Sequence, residues 1–359
     1  MEDAASLDSL LKASLENFKD PDSGRPLSKT GQVTDWSITD GHVACKMSLT
    51  THSKPIAQET ADALRDYLQA QSESIRGVTV TLGTQYRPTP AIGQIGLKVK
   101  SVIAVGAGKG GVGKSTLAAS IAITLEKLGS RVGLMDADVY GPSVPHLLGL
   151  SGRPEIVDGK IKPIMSETMP VMSMGFLLEK DQAVVWRGPM LHGSIQQFLR
   201  DTAWGELDYL IIDMPPGTGD VALTLSQMLP LAGAVIVCTP QEVALLDAGK
   251  AIAMFEKTKV PLLGIVENMS GFLCPDNGKT YDIFGRGGAR DKADSLGVPF
   301  LGDVPIYMQL RSESDEGRLR EALEDPVASK PFEHIARALV RSLADRASQQ
   351  SQIAALPVL

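Results

Sequence analysis

Apolar and polar positions alternate in two different rhythms along the chain. Val43, Cys45, Met47 and Leu49 recur every second residue after Asp40-Gly41, which predicts a half-buried strand entered through a tight hairpin turn. The period then lengthens: Ile56, Ala57, Thr60, Ala61, Leu64 and Leu68 share one helical face, after which Val78, Val80 and Leu82 return to a period of two. Residues 1–84 therefore read as a small α+β domain. Between Gln85 and Lys98 two prolines and two glycines break any sustained period, so residues 85–98 are expected to form a linker.

Beyond that stretch, short apolar runs at 102–105, 131–135, 209–212, 234–238, 262–266 and 300–301 alternate with helix-competent segments. The alternation predicts an α/β domain over residues 99–345, with a mostly parallel sheet flanked by helices. The Ser/Gln-rich tail, 346–359, is expected to fray.

Composition narrows the class. At 359 residues the chain accommodates two domains, and 43% hydrophobic with 21% charged residues describes a globular protein with no run long enough to span a bilayer. The acidic start, Met1-Glu2-Asp3, lacks the basic and apolar regions of a signal peptide, so a cytoplasmic protein is expected. A net charge of −7 and a pI near 5.4 disfavour nucleic acid as partner. Cys45, Cys238 and Cys274 are too few and too far apart for a disulfide framework; Cys45 and Cys238 lie in apolar strand patterns and read as core.

The most specific motif is Gly108-Lys109-Gly110-Gly111-Val112-Gly113-Lys114-Ser115-Thr116, which fits G-x-x-x-x-G-K-[ST] between an apolar run and a helix-competent stretch. Its backbone N–H groups would face phosphates at a helix N-terminus, Lys114 would reach the β/γ oxygens and Ser115 would ligate Mg²⁺. A glycine turn without a ligand, or the dinucleotide-like Gly106-x-Gly108-x-x-Gly111, are the competing readings, and neither accounts for Lys114-Ser115. Tyr209-Leu210-Ile211-Ile212-Asp213 ends an apolar strand in a carboxylate suited to Mg²⁺. Asp136 and Asp138 follow another strand, where they could serve a bound ligand or simply cap the next helix.

Lys109, directly after the first glycine, gives K-G-G-x-G-K-[ST], a pattern that resembles the deviant Walker A ATPases, the group of MinD, ParA, nitrogenase iron protein and the Mrp/ApbC cluster carriers. Met135-Asp136-Ala137-Asp138-Val139-Tyr140-Gly141-Pro142-Ser143, Trp186-Arg187-Gly188-Pro189-Met190, Asp213-Met214-Pro215-Pro216-Gly217-Thr218-Gly219-Asp220, Thr239-Pro240-Gln241-Glu242 and Glu267-Asn268-Met269-Ser270 resemble the Mrp/ApbC/Nbp-type iron–sulfur carriers in particular. The N-terminal domain, from Asp20-Pro21-Asp22 to Thr50-Thr51, resembles the small domain fused to many Mrp proteins.

That resemblance implies a slow ATP hydrolase using ATP and Mg²⁺ as a homodimer, with Lys109 contacting the nucleotide of the other subunit. It assigns water orientation to Asp138, a nucleotide-sensing switch loop to Pro216, Gly217, Gly219 and Asp220, and adenine recognition to Asn268, which is also a common turn former. It implies apo iron–sulfur proteins and cluster scaffold proteins as partners and a bridging [4Fe-4S] cluster held by C-P-x-C, while composition and charge lead us to expect neither membrane nor nucleic acid as partner. Here the motif reads Cys274-Pro275-Asp276-Asn277, and Ser53-Lys54-Pro55 stands where the N-terminal domain usually has Cys-Pro, leaving Cys274 as the candidate iron ligand. A MinD/ParA-like positioning ATPase and a nucleotide-regulated adaptor without metal are the alternative functions.

Overall fold

The computed structural model describes residues 4–139, 141–177, 188–217 and 220–354. The chain divides into two units, one of residues 1–88 with 340–359, the other of residues 89–339.

In the first unit, α1 (Ala4–Ser14) precedes a hairpin of β1 (Val33–Thr39) and β2 (His42–Leu49). Its turn is Asp40-Gly41, with φ of 52° and 80°, the pair of left-handed residues a two-residue type I′ connection requires. A crossover through α2 (Ala57–Gln69) returns β3 (Gly77–Thr84) parallel to β2. The period-two and period-3.6 residues meet in one core: Val43, Cys45, Met47 and Leu49 from β2, Leu64 and Leu68 from α2, Leu7 and Leu11 from α1.

The second unit contains β4 (Ala91–Ile92), β5 (Leu97–Gly106), α3 (Lys114–Lys127), β6 (Val132–Asp136), α4 (Val144–Leu147), the small hairpin of β7 (Ile156–Val157) and β8 (Lys160–Ile161), β9 (Ile164–Ser166) and β10 (Met169–Ser173). It continues with α5 (Gly188–Asp201), β11 (Leu207–Asp213), α6 (Asp220–Met228), β12 (Gly233–Cys238), α7 (Glu242–Lys257), β13 (Leu262–Leu273), β14 (Thr280–Tyr281), α8 (Gly288–Leu296), β15 (Phe300–Ile306), α9 (Met308–Asp315) and α10 (Leu319–Ala322). The last helix, α11 (Pro326–Ala354), begins in this unit and ends in the first.

Its ten-stranded sheet runs β14-β13-β12-β5-β11-β6-β10-β9, with β15 also on β13 and β4 on β5. The pairs among β13, β12, β5, β11, β6 and β10 are parallel, and antiparallel pairing is confined to β14, β9 and β4. Every residue of β6, β11 and β12 is buried, as a sheet covered on both faces demands. Because β6 and β12 lie to opposite sides of β5 and β11, the strand order reverses at β5, and the crevice beyond its carboxyl end is where such sheets bind ligands.

Two expectations change, and one strand is new. The stretch 85–98 is tied down at both ends: Arg87 donates to Asp20 at 3.0 Å, and β4 pairs with the start of β5. Its two-residue strand is too short to register as a period. The expected frayed tail is helical through Ala354, a continuation of α11, while residues 355–359 lie outside the described residues. β10 was not anticipated, because Pro170 interrupts its apolar run; the proline is accommodated where β10 meets β9.

Candidate nucleotide site

The phosphate loop occupies the crevice beyond β5. The backbone enters α3 through Gly113, whose φ of 79° suits glycine, and a Cβ there would come within 2.1 Å of Asn268 Nδ2. Gly108 is equally constrained, since a Cβ would lie 2.1 Å from the Asp247 carbonyl of α7. Around Gly110 and Gly111, by contrast, nothing lies within 4 Å of such an atom, so that side of the loop is open to a ligand. The first turn of α3 presents its N–H groups there, next to Lys114, Ser115 and Thr116.

Strand register gathers the acids. Asp213 ends β11 opposite both Val105 of β5 and Asp136 of β6, so one cross-section of the sheet places two carboxylates beside the loop. Lys114 Nζ lies 2.5 Å from Asp213 Oδ1, 3.2 Å from Ser115 Oγ and 3.8 Å from Asp138 Oδ2, with Lys114 and all three aspartates buried. Burial pushes the Asp213 carboxyl up, against the pull of Lys114. Its Oδ2 is buried without a hydrogen-bond partner, an orphaned acceptor that fits a cation or a cation-bound water.

The two acids after β6 divide the possibilities left open by the sequence. Asp136 accepts from the backbone N–H of Asp138 at 3.1 Å and of Val144, at the start of α4, at 3.2 Å; Ser173 Oγ of β10 donates to it at 3.0 Å. Asp136 thus acts as the cap, and burial, followed by the charge of Asp213, pushes its pKa up to about 7. Asp138, turned by that cap, faces Lys114. Ser173 was invisible to sequence reasoning because its strand was.

Asn268 lies within β13, which bulges between Asn268 and Phe272 and carries Met269 at φ 58°. Its amide donates to the Val112 carbonyl at 2.8 Å, clamping the phosphate loop. Asn268 and Gly113 also line a cavity of about 260 Å³ with Val304, Ile306, Leu310 and Phe332. Next to Asn268, buried Glu267 accepts from Gly287 N and Ala289 N, each at 2.8 Å, and so caps α8.

In the expected switch loop, Met214 N donates to Val105 O and Gly217 N to Ala107 O, at 3.0 and 2.9 Å, holding Pro216-Gly217 against the phosphate loop. Asp220 begins α6, whereas Thr218 and Gly219, like Tyr140, Trp186 and Arg187, lie outside the described residues. Lys109 is half-exposed on the loop and has no hydrogen-bond or ion-pair partner among the described residues.

Cys274 does not join this constellation. It follows β13 in the hairpin with β14, is partly exposed, and its backbone closes the turn through Gly278 N at 2.9 Å and Lys279 O at 2.9 Å. Asn277 stabilises the same turn, accepting from Lys279 N and donating to Tyr281 OH. Burial pushes the thiols of Cys45 and Cys238 up to about 11 and about 12, so both are inert core residues. Among the described residues no three His, Cys, Asp or Glu side chains form a metal-holding group.

A mostly parallel sheet with a glycine loop at its reversal point, a buried lysine inside the loop and an aspartate ending the adjacent strand define a P-loop NTPase. Residues 98–340 match the family described as ParA: NUBPL iron-transfer P-loop NTPase, and the chain belongs to that family. It is 45% identical over 98% of its length to an iron–sulfur cluster carrier protein of Deinococcus radiodurans, covering 99% of that protein. It is 48% identical over 70% of its length to one of Escherichia coli, covering 67% of it. A nucleotide-binding protein from Archaeoglobus fulgidus, solved in complex with ADP, superposes on 65% of this chain and 92% of its own with a TM-score of 0.58 at 44% identity.

Proposed function

We propose that this chain is an ATP-hydrolysing iron–sulfur cluster carrier that works in the cytoplasm as an ATP-gated homodimer. The observation that carries the reading is the convergence of Lys114, Asp138 and Asp213 on a phosphate loop with an open face. The loop amides and Lys114 would hold the β- and γ-phosphates, and the cavity beside Asn268 would take the adenine. Ser115 and the unpartnered Oδ2 of Asp213 suit Mg²⁺, which would neutralise phosphate charge. Asp138, aimed by Asp136, would orient the attacking water.

Lys109, without a hydrogen-bond or ion-pair partner among the described residues, suits a role on the nucleotide of a second copy, supplying a cation against the charge of the transferring phosphoryl group. Gly217, anchored to Ala107, would let the 214–220 loop respond to the γ-phosphate. No helix among the described residues is long and apolar enough to cross a membrane. The full-length relative named a cluster carrier favours this reading over a positioning ATPase.

The cluster is cargo, handed on to apo iron–sulfur proteins. A dimer offers two Cys274 thiolates, half of the four cysteine ligands such clusters take, so client or scaffold thiols would complete the set during transfer. Anaerobic reconstitution with iron and sulfide tests this: wild type should retain iron and a cluster absorbance, and Cys274→Ala should lose both. Equal, background-level iron in the two proteins sinks the carrier reading while leaving the ATPase reading to its own assay.

A further inference from the structure

The three-stranded sheet of the first unit has two edges that are built differently. β1 is blunted: Asp35 sits at φ 51°, and the register with β2 slips between Thr34 and Ser37, so a charge and a bulge interrupt the strand. Natural sheets protect edges in this way, because an unpaired row of N–H and C=O groups templates pairing with another chain. β3, the opposite edge, has none of these devices. It pairs with β2 along all eight residues without a slip, and its sequence, Gly77-Val78-Thr79-Val80-Thr81-Leu82-Gly83-Thr84, contains no charge and no proline.

Among the described residues no other strand and no loop backbone pairs with the outer side of β3. Thr79, Thr81, Leu82 and Thr84 are exposed, and Val78 and Val80 are only half-buried, in contrast to the fully buried Val43, Cys45, Met47 and Leu49 of neighbouring β2. A long, flat, uncharged edge rich in β-branched residues is an aggregation hazard unless something covers it.

The sequence of β3 indicates what does. Read from Val80 outward it is nearly a palindrome: Thr79 matches Thr81, Val78 matches Leu82, and Gly77 matches Gly83. An antiparallel pair of β3 strands centred on Val80 would set threonine opposite threonine, aliphatic opposite aliphatic and glycine opposite glycine, with no like charges opposed. Such self-complementarity is what an isologous twofold contact requires, since residue i meets j and j meets i. We infer that β3 pairs antiparallel with β3 of a second copy of this chain, joining two three-stranded sheets into one of six strands.

Seven paired residues make a small interface, below the size of a stable one. The contact therefore rests in part on the proposed ATP-bound dimer, which would hold two chains together and raise the effective concentration of one edge at the other. If both contacts lie on one twofold axis, the assembly closes at two chains.

Cysteine pairing reads the register directly. In a Cys274→Ala background, where the remaining thiols are buried, Thr79→Cys chains are mixed with Thr81→Cys chains, incubated with ATP and Mg²⁺ and mildly oxidised. Residues 79 and 81 would be directly opposed, within disulfide reach, whereas 79 and 79 or 81 and 81 are diagonal and too far apart. The mixture should give at least several-fold more disulfide-linked dimer than either variant alone, and circular dichroism should match wild type because both positions are exposed. Equal yields in all three samples, or no disulfide while light scattering reports a dimer, overturn the pairing. Protection of both thiols from alkylation only when an apo-client protein is added also overturns it, in favour of a client strand as occupant. A monomer mass with ATP sinks the dimer reading instead, and a mixed disulfide that still forms leaves the strand pairing standing.

Discussion

Lys114 Nζ lies 2.5 Å from Asp213 Oδ1, and both side chains are buried. The pair joins the first residue of α3 to the last of β11, so the loop lysine and the strand-end acid neutralise each other inside the sheet's crevice. Removing one partner leaves the other charge buried and alone, which costs far more than the pair contributes. Lys114→Met should destabilise the nucleotide-free protein by about 3–5 kcal/mol, and adding Asp213→Asn should recover most of that loss. Neither variant should bind ATP. Thermal melts of the single and double variants check the coupling, and an unchanged melt for Lys114→Met refutes it.

Lys109 has no hydrogen-bond or ion-pair partner among the described residues, so its removal should cost little in stability or in ATP affinity. A cation supplied across a dimer acts on the transition state, and its loss should slow turnover by roughly 10³-fold. Steady-state hydrolysis by Lys109→Ala beside an ATP-binding isotherm separates the two effects. Wild-type turnover would remove Lys109 from the chemistry.

The Asn268 amide holds the Val112 carbonyl at 2.8 Å. Asn268→Ala should weaken nucleotide binding by roughly tenfold, the equivalent of one hydrogen bond near the upper end of its usual net worth. Asn268→Asp should be worse, because a carboxylate cannot donate to that carbonyl and would face it with like charge. Calorimetric titration with ADP ranks the three proteins; an order other than wild type, alanine, aspartate contradicts the clamp.

Asp20 in the first unit is fully buried. Burial pushes its carboxyl up, but hydrogen bonds from Ser23 and Arg87 outweigh that and hold it below the usual carboxylate range. A depressed acid adds stability that is complete above its unfolded pKa and disappears as pH falls through the folded value. The first unit should therefore loosen as pH drops below about 4, and Asp20→Asn should flatten that dependence while lowering stability at neutral pH. Fluorescence of Trp36 against pH, in wild type and variant, tests the sign.

The alternating runs at 102–105, 131–135, 209–212, 234–238 and 262–266 all became strands, because a strand buried on both faces must be apolar throughout and so announces itself locally. The glycine loop was legible for a similar reason, as its spacing follows from the phosphates it is shaped to hold. β10 and β4 were not legible: Pro170 breaks one pattern, and the other is two residues long. Nor could spacing show that Asp136 would be the cap and Asp138 the residue facing Lys114, since both are acids two positions apart at one strand end.

The sequence by itself determined the α/β and α+β units, the phosphate loop, and the inert character of Cys45 and Cys238, all of which depend on neighbours a few residues away. Tertiary structure alone decided which charges meet. Parallel register set Asp213 beside Asp136, brought Lys114 to Asp213 from 99 positions away, and laid Asn268 on a carbonyl 156 positions distant. Such pairings depend on how strands order themselves in the sheet, and no local period records that order.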